Sequence, residues 1–243
     1  MIKIENTDVV GWDAAIRGMR NPMNSWEKSD STFTDVFDDY DNFKSYYMKS
    51  SDIGPNDFDL MKRLRNAGTD HRKFMRMIAV YVDITAPLYW WKEFDTYKVG
   101  TVANSCSTMH KIAEKEFTVD DFSHEHLFDI MIGDVEFLPI EILDNTITCL
   151  NMCRERYLKA IKTENQLIPA KDYWWQMIQL LPSSYNQRRA VMLNYEVLAN
   201  MYKSRRNHKL DEWREFCNWI RVLPYSQLIT GEFDIPEVSN ANT

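Results

Sequence analysis

The run Asn104, Ser105, Cys106, Ser107, Thr108 sets an amide, hydroxyls and a thiol side by side. A segment that only connects two elements has no need of so many donors and acceptors, whereas a segment that grips a polar ligand does. Cys106 could attack an electron-poor ring carbon if a neighbouring base or cation lowered its pKa, and Lys98 and His110 are the candidates for that role. The alternative is a small thiol buried in a tight loop. A second set is Asn194, Asn200 and Arg205. Read as one helix, Asn194, Leu198, Met201 and Arg205 share a face, with the Asn and the Arg about 16 Å apart at ~1.5 Å per residue. The alternative is a core helix whose polar ends reach water. His124-Glu125-His126 has i, i+2 spacing on a loop and reads as a solvated turn rather than a metal site. Asp35, Asp38, Asp39 and Asp41 cluster beside Tyr40 and Phe43. They lack the D-x-D-x-D-G order of a calcium loop and read as a solvated loop or helix face.

Bulk properties narrow the chemistry. The 243-residue chain carries 29 basic and 36 acidic residues, a net charge of −7. That balance excludes sequence-independent nucleic-acid binding, which relies on phosphate neutralisation. Arg188–Arg189 and the stretch from Lys203 to Arg206 are local basic patches. There is no GxGxxG and no GxxxxGK[ST], so phosphates would have to be held by arginines, hydroxyls or helix N-termini. The four cysteines include no CxxC pair, which disfavours zinc. Cys149 and Cys153 are one helical turn apart, as small buried residues are. No apolar run reaches the roughly 18 residues of a membrane span, and the first residues lack the apolar core of a secretory signal. The expectation is a cytoplasmic chain with reduced cysteines and no membrane association. Its 8 Trp, 12 Tyr and 12 Phe favour an aromatic core and an oligomer interface.

The elements that must position these residues follow from periodicity. Residues 1–10 alternate as an edge strand. Trp12 to Met19 forms a short helix broken at Asn21-Pro22, and Pro55 to Arg65 forms another, with Asn56 or Asp57 near its start. Phe74 to Thr85 is a strand with Val80, Val82 and Ile84 on one face. Thr85 caps a helix with Pro87 in its first turn, running to about Tyr97. Phe137 to Lys162 is a long helix with Ile140, Ile142, Leu143, Ile147 and Leu150 as its apolar stripe. After Leu181-Pro182, Asn186 to Arg206 is a helix. Asp211 to Val222 is another, with Trp213, Phe216, Cys217 and Ile220 at i, i+3, i+4, i+7. The expectation is one α+β domain over residues 1–230 and a polar tail over 231–243.

Leu181-Pro182 followed by Asn194, Asn200 and Arg205 resembles the C-terminal signature of the flavin-dependent thymidylate synthases. There a Leu-Pro pair precedes a helix bearing Asn, a second Asn six residues on and an Arg five further. Upstream, His71 and Phe74 before the strand, Ala86-Pro87 after it and the Asn104-x-x-Ser107 step match the family's other motif. Thr96, Tyr97 and Lys98 fall where the family has R-H-R, and Thr101 aligns with its first Ser only across a one-residue insertion. Ser105 stands for its Glu, Met109 and His110 for its Arg-Tyr, and Ile178 for an Arg before Leu-Pro. Thr and Met cannot reproduce a guanidinium–phosphate fork, which leaves Arg188, Arg189, Arg206 and Lys98 as substitutes.

The resemblance implies an α+β fold with a central antiparallel or mixed sheet and long helices. It also implies methylation of dUMP to dTMP with reduced FAD and methylenetetrahydrofolate, NADPH as reductant, and a homotetramer with active sites between subunits. By it, His71, Lys98, Asn104, Asn194 and Asn200 would contact FAD, Ser107 would bind substrate and take part in catalysis, and Arg205 would bind the nucleotide. His208 falls near another histidine of the family. The alternative is a family member that has lost catalysis and binds a pyrimidine nucleotide or a protein partner.

Overall fold

The structure, a computed structural model, describes residues 2–40, 43–163 and 167–233, with the backbone alone over 34–40 and 43–51. In chain order the elements are β1 (Lys3–Val10), α1 (Trp12–Arg20), β2 (Thr32–Tyr40), β3 (Phe43–Asp52), α2 (Pro55–Asn66), β4 (Ala79–Pro87), α3 (Leu88–Phe94) and β5 (Val102–Ser105). There follow α4 (Thr108–Lys111), β6 (Ile130–Ile132), β7 (Val135–Phe137), α5 (Pro139–Ala160), α6 (Ala170–Leu180), β8 (Asn186–Asn194), α7 (Tyr195–Arg205), α8 (Asp211–Arg221) and α9 (Gln227–Thr230). The expected α+β class holds. Its sheet has the order β1-β4-β8-β5, with β1 at the edge as its alternation predicts. The pairs β2–β3 and β6–β7 form separate two-stranded sheets.

The chain forms two compact units. One comprises Met1–Glu5, Asp83–Thr96 and Ala103–Val191, the other Asn6–Val82, Tyr97–Val102 and Met192–Thr243. In the first, Ile112, Phe117, Phe122, Leu143, Ile147, Leu150 and Met177 form a buried cluster, with Trp174, Ile178 and Tyr185 packed against it. The expected stripe of α5 is therefore right at Leu143, Ile147 and Leu150, but Ile140 and Ile142 are exposed. Cys149 is exposed and Cys153 half-buried, contrary to the expectation that both are buried. In the second unit, Trp213, Phe216, Cys217 and Ile220 of α8 are all buried, as the spacing predicts. Burial pushes the Cys217 thiol up to about 11.

Several boundaries differ from expectation. The strand begins at Ala79 because Arg72–Met77, with Phe74 and Met75 buried, is a 3-10 helix. It runs on to Pro87, past Thr85, so Thr85 caps nothing. Helix α3 has no side-chain cap. Its first amides donate instead to the carbonyls of Tyr185 (3.0 Å) and Ser183 (3.0 Å), partners nearly a hundred residues away, and it ends at Phe94 rather than Tyr97. The aspartate-rich segment expected as loop or helix face is the antiparallel pair β2–β3, with Thr32 opposite Asp52 and Asp38 opposite Ser45. Asp41 and the aspartate side chains of that segment lie outside the described residues, as do positions 234–243 of the expected tail.

The largest departure is at Asn186 to Arg206. Its first half is strand β8, in which Gln187, Val191 and Leu193 are buried while Arg188 and Ala190 are exposed. Helix propensity loses here because β8 lies between β4 and β5, where both rows of its backbone groups find partners. Asn194 is thus not on a helix face with Arg205; it is the residue at which strand becomes helix.

A buried ion pair anchors α1 to α2. Arg20 Nε donates to Asp57 Oδ1 at 2.6 Å, with side chains 5% and 0% exposed. The other oxygen accepts from the hydroxyls of Ser29 and Ser31, each at 2.6 Å, and from the Asp30 and Ser31 amides. Asp30 in turn accepts from the Asn56 and Asp57 amides and so caps α2. Gly54 is required beside it, since a Cβ there would meet the Asp30 carboxyl carbon at 2.2 Å. Burial pushes the Asp57 carboxyl up, but the serine and Arg20 hydrogen bonds and the Arg20 charge outweigh it and hold the pKa below its ordinary value. A depressed folded-state pKa stabilises above the unfolded value and is lost as pH falls through the folded one. Asp57→Ala is expected to cost about 3 kcal/mol at neutral pH, because it strands a buried guanidinium. Asp57→Asn should flatten the loss of melting temperature on acidification below the carboxylate range. Thermal melts across pH check both; an acid profile like wild type's would refute the assignment.

Candidate functional site

The chemistry-bearing residues fall into two sets, one in each unit. In the first, β5 feeds Cys106 and Ser107 into the single turn of α4. The Cys106 amide donates to the Arg188 carbonyl at 3.1 Å, and Gln187 Nε2 returns a bond to the Cys106 carbonyl at 3.1 Å. The polar loop is therefore laid against β8. Ser107 is the N-cap of α4, and its hydroxyl accepts from the His110 amide at 3.2 Å. Cys106 is exposed, contrary to the small-buried-thiol reading.

A cavity of about 430 Å³ opens beside this loop, within the range that small-molecule sites occupy. Its wall includes Cys106, Ser107, Thr108, Lys111, Lys115, Phe117, Asp121, Tyr185, Gln187 and Arg188. Lys111 is paired with Glu114, Lys115 with Asp121, and Arg188 with Asp83 at 2.8 Å. The bond that Arg188 donates to Asp83 raises the Arg188 pKa, as the bond to Glu114 raises that of Lys111. Burial pushes the Tyr185 phenol up, aided by the negative charge of Asp121. The wall thus offers hydroxyls, amides, aromatic surface and three cations paired with carboxylates, of which Glu114 and Asp121 line the same cavity. Arg189, expected as a phosphate substitute, instead pairs with Asp95 at 2.8 Å and lies over the Trp91 ring at 4.1 Å. Asn104 is exposed on β5.

In the second unit the expected residues converge on α7. Asn194 Oδ1 accepts from the Val197 amide at 3.0 Å, and its Nδ2 reaches the Gly100 carbonyl at 3.4 Å. Gly100 has φ 79°, and a Cβ there would stand 2.6 Å from Asn194 Nδ2, so this approach requires glycine. Asn200 Oδ1 accepts from Arg72 at 3.2 Å, next to His71 in the chain. Arg205 Nε donates to the Tyr97 hydroxyl at 2.9 Å, next to Lys98. Its guanidinium lies 4.8 Å from the Trp213 ring centroid and 5.6 Å from that of Tyr97. Tyr97, at the position of the family's histidine, is therefore the clasp for Arg205.

Sequence reasoning missed the group at the centre of this set, Glu196. It is buried and holds both Arg72 (3.1 Å) and Arg76. Burial raises its pKa, but the hydrogen bonds from Arg76 and Arg72 and their charges outweigh that and keep it low. The only signal was an acidic residue in the first turn of a helix. His71 and Lys98 are exposed.

Asn194 has a structural role that can be separated from a binding one. Asn194→Ala is expected to cost about 1 kcal/mol as a lost N-cap, while Asn194→Ser keeps the cap acceptor. A serine variant with wild-type melting and an alanine variant with lowered melting are the expected pair in chemical denaturation. Equal stability of wild type and both variants would remove the capping assignment.

No protein-family model and no curated protein sequence matches the chain. Solved structures do. Thymidylate synthase X (ThyX) from Helicobacter pylori, determined with FAD and dUMP, superposes with a TM-score of 0.59 at 16% identity, covering 95% of this chain and 98% of that one. The UMP/dUMP methylase PolB from Streptomyces cacaoi, bound with 5-Br UMP, gives a TM-score of 0.53 at 13% identity over 95% of this chain and 94% of that one. The chain has the flavin-dependent thymidylate synthase fold.

Proposed function

We propose that this protein is a divergent thymidylate-synthase-like methylase that takes a dUMP-like pyrimidine nucleotide in the cavity beside Ser107. The observation that carries the reading is the cavity itself, with its hydroxyl-lined loop, two lysines and two aromatic rings. The likeness to two solved structures that hold pyrimidine nucleotides supports the same ligand class. Ser107 and Gln187 supply hydrogen-bonding groups for a sugar or uracil edge. Phe117 and Tyr185 offer apolar surface for a base. Lys111 and Lys115 would turn to the nucleotide phosphate, and Glu114 and Asp121, which also line the cavity, would have to swing toward solvent.

FAD fits the residues of the second unit in part. Lys98, His71 and Asn200 are exposed and able to contact it, whereas Arg205 is held by Tyr97 and Arg72 by Glu196. Bound FAD would supply hydride, with NADPH as its reductant and methylenetetrahydrofolate as the one-carbon donor. The protein's own contribution is to hold the nucleotide at Ser107 and exclude water from the cavity. A homotetramer is part of the same proposal. No helix among the described residues is long and apolar enough to cross a membrane.

The second reading, a nucleotide-binding protein without methylase activity, is favoured by one observation. The position of the family's histidine is Tyr97, and it clasps Arg205 rather than standing free.

The expected result is that purified protein is yellow with flavin absorbance, and that dUMP or UMP raises its melting temperature through binding to the folded state. Ser107→Ala and Lys111→Met should each weaken nucleotide binding by about tenfold, the worth of one good polar contact. Colourless protein that takes up no added FAD would refute the flavin part. Absence of any nucleotide-dependent shift would refute the cavity assignment. Growth of a thymidine auxotroph on this gene separates the methylase from the inactive reading.

A further inference from the structure

The hairpin β6–β7 and the helix start after it form a surface that the proposed reaction does not use. The two strands are joined by Gly133 and Asp134, with Gly133 at φ 63°. Their register sets Ile130 opposite Phe137 and Ile132 opposite Val135, while Met131 opposes Glu136. Because side chains alternate across a strand, Ile130, Ile132, Val135 and Phe137 share one face. That face is wholly apolar, and no described residue covers it: Ile132 is 64%, Val135 66% and Phe137 53% exposed. Ile140 and Ile142, also exposed, follow directly, and the Ile140 amide donates to Asp129 at 2.9 Å, tying the start of α5 to the base of the hairpin. A lone two-stranded sheet is marginal in water and its edges offer unpaired backbone groups. An apolar patch of this kind marks an interaction site.

The charges around the face select its occupant. Asp129, Asp134, Glu136, Glu141 and Asp144 surround it in sequence and are all exposed, and no lysine or arginine occurs between Lys115 and Arg154. A second copy would bring the same carboxylates against these. The chain's own final residues, 234–243, carry Asp234 and Glu237 and no basic residue. An anionic lipid surface is repelled for the same reason. We propose that the β6–β7 face, with Ile140 and Ile142, docks a cationic amphipathic segment of another protein, whose apolar stripe covers the four-residue face and whose lysines or arginines meet the surrounding carboxylates.

The test uses the full chain and a fluorescently tagged Leu/Lys amphipathic peptide, with its Leu/Glu counterpart as control. Anisotropy should give saturable binding of the Leu/Lys peptide that weakens as salt rises, and none of the Leu/Glu peptide. The pair Ile132→Ser and Val135→Ser should reduce affinity by at least about tenfold, since apolar anchors at an interface centre dominate its energy. Asp134→Lys with Glu141→Lys should reduce it comparably and flatten the salt dependence. All four positions are exposed, so both variants should melt as wild type does. If either hairpin variant binds the Leu/Lys peptide as wild type does, or if the Leu/Glu peptide binds equally, the proposal is overturned. Self-association in sedimentation that the serine pair abolishes would assign the face to a second copy and overturn it as well.

Discussion

A helix that starts in a buried place must satisfy its first amides without water, and that requirement is concentrated at Asn194. The strand β8 delivers the chain there with backbone groups paired on both sides, and the next residue begins α7. The carboxamide closes the gap by accepting from Val197 and reaching Gly100. The Tyr195 amide, which the cap leaves over, donates to the Ile78 carbonyl at 3.1 Å. Once α7 is anchored, its next polar positions can hold other segments: Glu196 takes Arg72 and Arg76, Asn200 takes Arg72, and Arg205 takes Tyr97. Each of these bonds ties another segment, the 3-10 helix at Arg72–Met77 or the loop at Tyr97, to one short helix. The residues that the family resemblance marks for flavin and nucleotide are thus also structural ties in this chain.

These ties set what a ligand would meet. The half-buried Arg205 guanidinium lies over two aromatic rings and donates to a phenol, and a phosphate would have to compete with that arrangement. The Lys111–Glu114 pair of the Ser107 cavity is exposed on both sides and screened by water, whereas the Asp121 side chain that holds Lys115 is mostly buried. The two places thus differ in what holds their cations: an aromatic and phenolic frame at Arg205, carboxylates beside Ser107.

Much of the fold was legible. The i, i+3, i+4, i+7 pattern of Trp213, Phe216, Cys217 and Ile220 named a buried face because an amphipathic helix has only one way to hide it. The alternation of Val80, Val82 and Ile84 named a strand face for the equivalent reason. Less legible were elements whose partners are far away in sequence. Helix α2 is capped by Asp30, and α3 by carbonyls near residue 185; neither leaves a local signature. The aspartates of β2 and β3 disguise a strand pair because their local preference is for turns. The stretch Arg188 to Leu193 contains good helix formers, and only its place between two other strands makes it a strand.

By itself the sequence determined the α+β class, the apolar face of α8, the part of the α5 stripe at Leu143, Ile147 and Leu150, the acidic balance, and the cluster of small polar residues at 104–108. Those follow from side-chain chemistry and short-range periodicity, which any local window contains. The tertiary structure alone decided that Asn194 is a cap rather than a helix-face residue, that Tyr97 clasps Arg205, that Glu196 gathers two arginines, and that the polar loop opens on a cavity. The Asn194 cap depends on β8 finding its place between two distant strands, and the others are pairings across many residues of chain; no local pattern encodes a partner that folding has yet to bring near.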